Sequence, residues 1–147
     1  MNRLLILIWA ASSILLSCNK KPPIPHVDIW ACHHETTWDA EKVHHTLLGK
    51  WEWQFVTCSR TLENLKGDEF EGLEIEFKPD STLDVIENGE ITQTSTWKVV
   101  NGDVHLFAVK AEPSVSQLRG RILFCEEKVE FNHGYIDGCD NYFERIE

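Results

Sequence analysis

From Gly49 to the end of the chain, apolar and polar residues alternate almost one for one, in short runs broken by turn formers. In Gly49-Lys50-Trp51-Glu52-Trp53-Gln54-Phe55, the rings of Trp51, Trp53 and Phe55 fall on one face of a strand, and Lys50, Glu52 and Gln54 on the other. Period-two runs are read over 50–57, 73–78, 82–87, 91–100, 103–110, 118–124, 129–135 and 141–146. The breaks carry Lys78-Pro79-Asp80-Ser81, Asn88-Gly89, Asn101-Gly102-Asp103 and Asp137-Gly138, each able to reverse the chain. Eight short antiparallel strands in series must hide two edges, and pairing the first strand with the last does so. The expected fold is therefore all-β, an eight-stranded up-and-down antiparallel barrel. Its inward face would carry Trp53, Phe55, Ile75, Phe77, Val85, Trp97 and Phe131. Such a barrel either fills itself with these side chains or holds one small ligand among them.

Residues 1–17, MNRLLILIWAASSILLS, combine Arg3, an apolar run from Leu4 to Leu16 and the small Ser17. They read as an export leader, too short for a spanning helix. Leu15-Leu16-Ser17-Cys18 resembles the lipobox of bacterial lipoproteins, in which the cysteine is acylated after the leader is removed. That resemblance implies anchoring to a membrane through acyl chains on Cys18. Asn19 after the cysteine favours the outer membrane, and Lys20-Lys21 in place of an acidic tract favours its periplasmic face. Residues 18–29 read as a Pro-rich tether, 30–48 as an N-terminal plug with one helical piece capped by Thr36 or Thr37, and 49–147 as the barrel.

Losing the leader removes one basic residue and no acid, taking the net charge from −10 to −11. A chain so acidic does not seek nucleic acid. Composition says nothing of oligomeric state.

Four cysteines remain besides Cys18, and in an exported chain an even number predicts disulfides. Strand direction chooses the pairing. Cys125 follows the sixth strand at the end where the first strand begins, the bottom; Cys139 precedes the eighth strand at the top. The strand between them spans roughly 20 Å at ~3.3 Å per residue, and a disulfide needs Cα atoms within ~7 Å. Cys58, at the top of the first strand, should therefore meet Cys139, and Cys32 should meet Cys125.

The strand order, Gly49-Lys50-Trp51 and Tyr142-Phe143-Glu144-Arg145 together resemble the lipocalin-like lipoproteins of Bacteroidetes-type bacteria. The first motif matches the G-x-W that opens strand one of that family, and the second its aromatic-x-Arg ending. The resemblance implies that Arg145 packs over Trp51 at the closed end, beside Gly49, and that the long connection 59–72 forms a lid. A T-D-Y motif found mid-chain in many lipocalins is missing.

His33-His34 and His44-His45 invite a metal reading, but their segment looks too irregular to set all four on one face, and none is assigned. Asp68-Glu69-Phe70-Glu71 lacks the oxygen-ligand spacing of a calcium loop. His105 and His133 read as lone strand histidines, and no nucleophile–base set can be assembled. The expectation is a binding protein without cofactor rather than an enzyme. Two readings stand: a barrel holding a small hydrophobic ligand, or a filled, inhibitor-like barrel that binds a protein partner.

Overall fold

The computed structural model describes residues 28–58, 70–103 and 105–147. The leader, Cys18, the tether up to residue 27 and connection 59–69 lie outside the described residues. Two short helices, α1 (Ile29–His34) and α2 (Ala40–Leu47), precede eight strands: β1 (Gly49–Cys58), β2 (Leu73–Phe77), β3 (Thr82–Glu87), β4 (Glu90–Asn101), β5 (Phe107–Glu112), β6 (Arg121–Cys125), β7 (Lys128–Asn132) and β8 (Cys139–Arg145). They form one antiparallel sheet ordered β5-β4-β3-β2-β1-β8-β7-β6, curled into a nearly closed barrel. The first and last strands pair, with Trp51 opposite Arg145 and Cys58 opposite Cys139.

The barrel's unpaired seam lies between β5 and β6. Pro113, with no N–H to give, follows the end of β5, and a 3-10 turn (Ser116–Leu118) takes in Leu118, expected to open the sixth strand. Val115 and Leu118 of this connection turn inward and join the core. Gly120 then passes so close to β7 that a Cβ there would lie 2.1 Å from the Asn132 carbonyl oxygen. The fifth strand also starts later than expected, because the Gly102 N–H donates to the Leu106 carbonyl at 2.7 Å and the Leu106 N–H to the Asp103 carbonyl at 3.1 Å, a turn ahead of Phe107. His105 sits in that turn at φ 63, and His133 follows β7 at the start of a 3-10 turn (Gly134–Ile136) rather than lying within a strand.

Inward residues of every strand meet in one core that includes Trp51, Trp53, Leu73, Ile75, Phe77, Leu83, Val85, Trp97, Ile122, Phe124, Val129, Phe131 and Phe143. Phe55 is the exception. The β1–β8 register shifts between Trp53 and Phe55, so that Trp53 faces Phe143 but Phe55 faces Tyr142. One extra residue in the bulge reverses the alternation. Val56 points inward in its place, and Phe55 stacks on the outer ring of Tyr142 at 4.2 Å.

The N-terminal segment holds two helices, each capped by an aspartate rather than by Thr36 or Thr37. Asp28 accepts the Ala31 N–H at 3.0 Å, and Asp39 the Lys42 N–H at 2.7 Å. The amphipathic α2 closes the bottom of the barrel with Val43 and Leu47. By contrast, α1 lies against β6 rather than beneath the barrel: Ile29 packs with Leu106, Leu123 and Cys125 in a second, outer core.

Candidate functional site

The bottom of the barrel is sealed by one cluster. The Trp51 indole N–H donates to the Leu47 carbonyl at 2.7 Å, tying β1 to the end of α2. Arg145 lies with its guanidinium carbon 4.2 Å from the Trp51 ring centroid. The same guanidinium donates to the carbonyls of Thr46 and Leu48 and pairs with Glu127 at 2.8 Å. It thus satisfies carbonyls that a helix end leaves without partners. Gly49 makes room for this. At φ +111, a Cβ there would sit 2.5 Å from the Glu147 carbonyl oxygen and 2.8 Å from Arg145 Nη1.

Above the seal the interior is apolar with a few polar groups. Trp53 donates its indole N–H to Asn141 at 3.1 Å and meets Phe70 edge-on at 5.4 Å. Gln93 and Ser95 bond each other at 2.8 Å, and Ser95 also reaches the Pro113 carbonyl. Trp97 stacks on His44 of α2 at 4.5 Å and meets Phe77 edge-on; its buried indole N–H finds no partner among the described residues. Of the side chains expected to line the barrel, Trp53, Ile75, Phe77, Val85, Trp97 and Phe131 share the inner core, and Phe55 lies on the outer wall.

The disulfides join Cys32 to Cys125, with Cα atoms 5.4 Å apart, and Cys58 to Cys139, at 4.1 Å. The second bridges β1 and β8 at the top. The first ties α1 to the free edge of β6. That edge has another clasp in the buried His33, whose Nδ1 accepts the Phe124 N–H at 3.0 Å. Nδ1 can accept only if the proton sits on Nε2. Burial, aided by the neighbouring His34, lowers the His33 pKa from 6.5 to about 4, so the ring stays neutral. Trp38 stacks flat on it at 5.1 Å and donates to its carbonyl.

On the outer wall, Asp84 of β3 accepts from Lys78 and Thr94, which holds its carboxyl below the usual carboxylate range. The outer face of β6–β8 is unlike the rest: Leu123, Cys125 and Tyr142 stand where alternation calls for polar residues. The run Ile122-Leu123-Phe124-Cys125, buried on both faces, is the sequence signal for a strand covered on both sides. His33 carried no such signal. Among the described residues, no three His, Cys, Asp or Glu side chains gather as a metal site. The four paired histidines are dispersed among a buried clasp, a stack on Trp97 and exposed positions.

No protein-family model matches the chain, and no curated protein matches it.

Proposed function

We propose that this chain is an exported lipoprotein of lipocalin-like type, anchored through acyl chains on Cys18 in the outer membrane and facing the periplasm, whose barrel holds a small apolar ligand. The leader and Leu15-Leu16-Ser17-Cys18 support the anchorage. Two disulfides fit an oxidising compartment. The observation that carries the ligand reading is the sealed bottom of an apolar-walled barrel. Val43, Leu47, Trp51 and Arg145 seal the bottom, so a ligand would enter from the top, toward Trp53, Val56 and Phe70, with Asn141 as a polar anchor. The role is binding, not catalysis.

Titrating the mature protein with a fatty acid while following tryptophan emission tests this reading. Saturable quenching that disappears in Trp53→Phe supports it. Emission that stays flat in the unsubstituted protein contradicts it.

A specific observation favours a second reading, a filled barrel that binds a protein partner. The side chains that would line a cavity pack against one another, with Phe131 and Phe143 edge-to-face at 5.7 Å and Trp97 held between His44 and Phe77. A barrel that stays solid on exposure to apolar probes would belong to this class.

A further inference from the structure

A recess lies outside the barrel, on the covered wall. The outer faces of β6, β7 and β8 present Leu123, Glu130, Asn132 and Tyr142, and α1 leans over them with Asp28, Ile29 and Trp30. Together they line a cleft of about 450 Å³, within the range of roughly 300–1,000 Å³ usual for small-molecule sites. Glu130 points outward from β7, where solvent would be expected, yet is only 6% exposed. Its Oε1 accepts from the Asn132 amide at 2.8 Å, and the Tyr142 hydroxyl is its other hydrogen-bonding partner. Both partners are neutral.

Among the described residues, the charges acting on Glu130 are Asp28, at the cap of α1, and Asp140 on β8, both acids. The cations of the same wall are engaged or set apart. Arg121 is bonded to Asp103 at 2.8 Å and lies 3.5 Å over the Tyr135 ring, and Lys128 is not among the residues lining the cleft. A glutamine at this position would make the same hydrogen bonds without burying an ionisable group among acids. Among the described residues the carboxyl has no counter-ion, and the cleft beside it has room for one.

We propose that this cleft binds a small organic cation, a primary ammonium on an aromatic or apolar body, with the ammonium on Glu130 and the body between Ile29, Trp30, Leu123 and Tyr142. Asp28 at the rim adds a second negative charge. Trp30, 47% exposed, offers its ring to the cation. Phe55, stacked behind Tyr142, holds that wall in place. The occupant has to displace a proton, because burial raises the Glu130 pKa from 4.5 to about 7. Affinity for an ammonium therefore climbs as pH passes through neutrality. This site is separate from the barrel interior and does not depend on what the interior holds.

The test uses the full mature chain in lipid nanodiscs, titrated with phenethylamine and followed by tryptophan emission and thermal shift. Saturable binding is expected, about tenfold tighter at pH 8 than at pH 6 as the ionised fraction of Glu130 rises. Glu130→Gln should weaken it at least tenfold while keeping a native circular dichroism spectrum, and Trp53→Phe should leave it unchanged. 2-Phenylethanol, with the same body and no charge, should bind at least tenfold more weakly. Equal binding by Glu130→Gln, equal binding of the alcohol, or no saturable binding of the amine overturns the proposal. If N-acetyl-lysine methylamide bound with the same Glu130 dependence and phenethylamine did not, the cleft would belong to a partner's lysine and the small-molecule assignment would be wrong.

Discussion

The Nδ1 atom of His33 accepts the backbone N–H of Phe124 at 3.0 Å, across 91 positions of sequence. Strand β6 is a free edge of the sheet, and an edge exposes N–H groups that invite pairing with another chain. A side chain of α1 takes the place of a neighbouring strand.

This contact makes stability depend on pH. Folded, His33 stays neutral down to about pH 4; unfolded, it protonates near 6.5. Between those values the unfolded chain holds the extra proton, so the His33 contribution is full above 6.5 and is lost as pH falls toward 4. The loss amounts to about 3 kcal/mol at most. His33→Asn, whose Oδ1 can replace Nδ1, should remove this slope and keep the fold. His33→Leu leaves the Phe124 N–H unpaired and should cost ~1–3 kcal/mol at pH 7. Urea unfolding across pH checks both; a His33→Asn profile identical to the parent's would contradict the assignment.

Glu130 pulls the other way. Its folded pKa is raised from 4.5 to about 7, so the folded chain holds more protons in that window and stability falls as pH rises through it. Glu130→Gln should therefore unfold at higher urea than the parent at pH 8, by roughly 2–3 kcal/mol, with little difference at pH 4. In the parent the His33 and Glu130 slopes largely cancel between pH 4.5 and 6.5. Each single variant should uncover the other's slope.

Arg145 joins β8, β1 and the end of α2 through one guanidinium. Arg145→Ala removes a stacked cation and charged hydrogen bonds to Thr46 and Leu48, and should cost about 2–4 kcal/mol. Arg145→Lys cannot reproduce the planar fork and should recover less than half of that. Gly49→Ala should lose more than about 1 kcal/mol, since its φ of +111 and the nearby Glu147 carbonyl both exclude a Cβ. Chemical denaturation of the three variants decides; a fully stable Arg145→Ala would show that the seal contributes nothing.

Peptide mapping without reduction should return Cys32 linked to Cys125 and Cys58 linked to Cys139. Cys58→Ala opens the β1–β8 junction at its top and should cost ~2–5 kcal/mol. A peptide linking Cys125 to Cys139 would refute the strand order.

Much of this architecture was legible because period-two alternation and turn residues report directly on strands. Strand direction then placed Cys58 beside Cys139 and Cys32 beside Cys125 with no further information. Phe55 was misplaced because a bulge is a one-residue choice of the paired strands, and Gln54 carries no mark of it. The open β5–β6 seam was hidden for a related reason: Val115 and Leu118 continue an apolar pattern while their backbone leaves the sheet. The Trp51–Arg145 contact followed from motif resemblance and strand order, whereas the Arg145 bonds to Thr46 and Leu48 depend on how α2 docks. Glu130 looked like an ordinary outward residue of an alternating strand. Only the packing of α1 buries it.

The central claim is that the barrel holds a small apolar molecule, and native mass spectrometry of the protein purified gently from its own membranes tests it most directly. The account predicts a folded species heavier than the acylated chain by the mass of one small molecule, released on unfolding and absent from Trp53→Arg, whose charged side chain would occupy the interior. A folded protein at the bare acylated mass, unchanged after incubation with fatty acids and other apolar compounds, would contradict it.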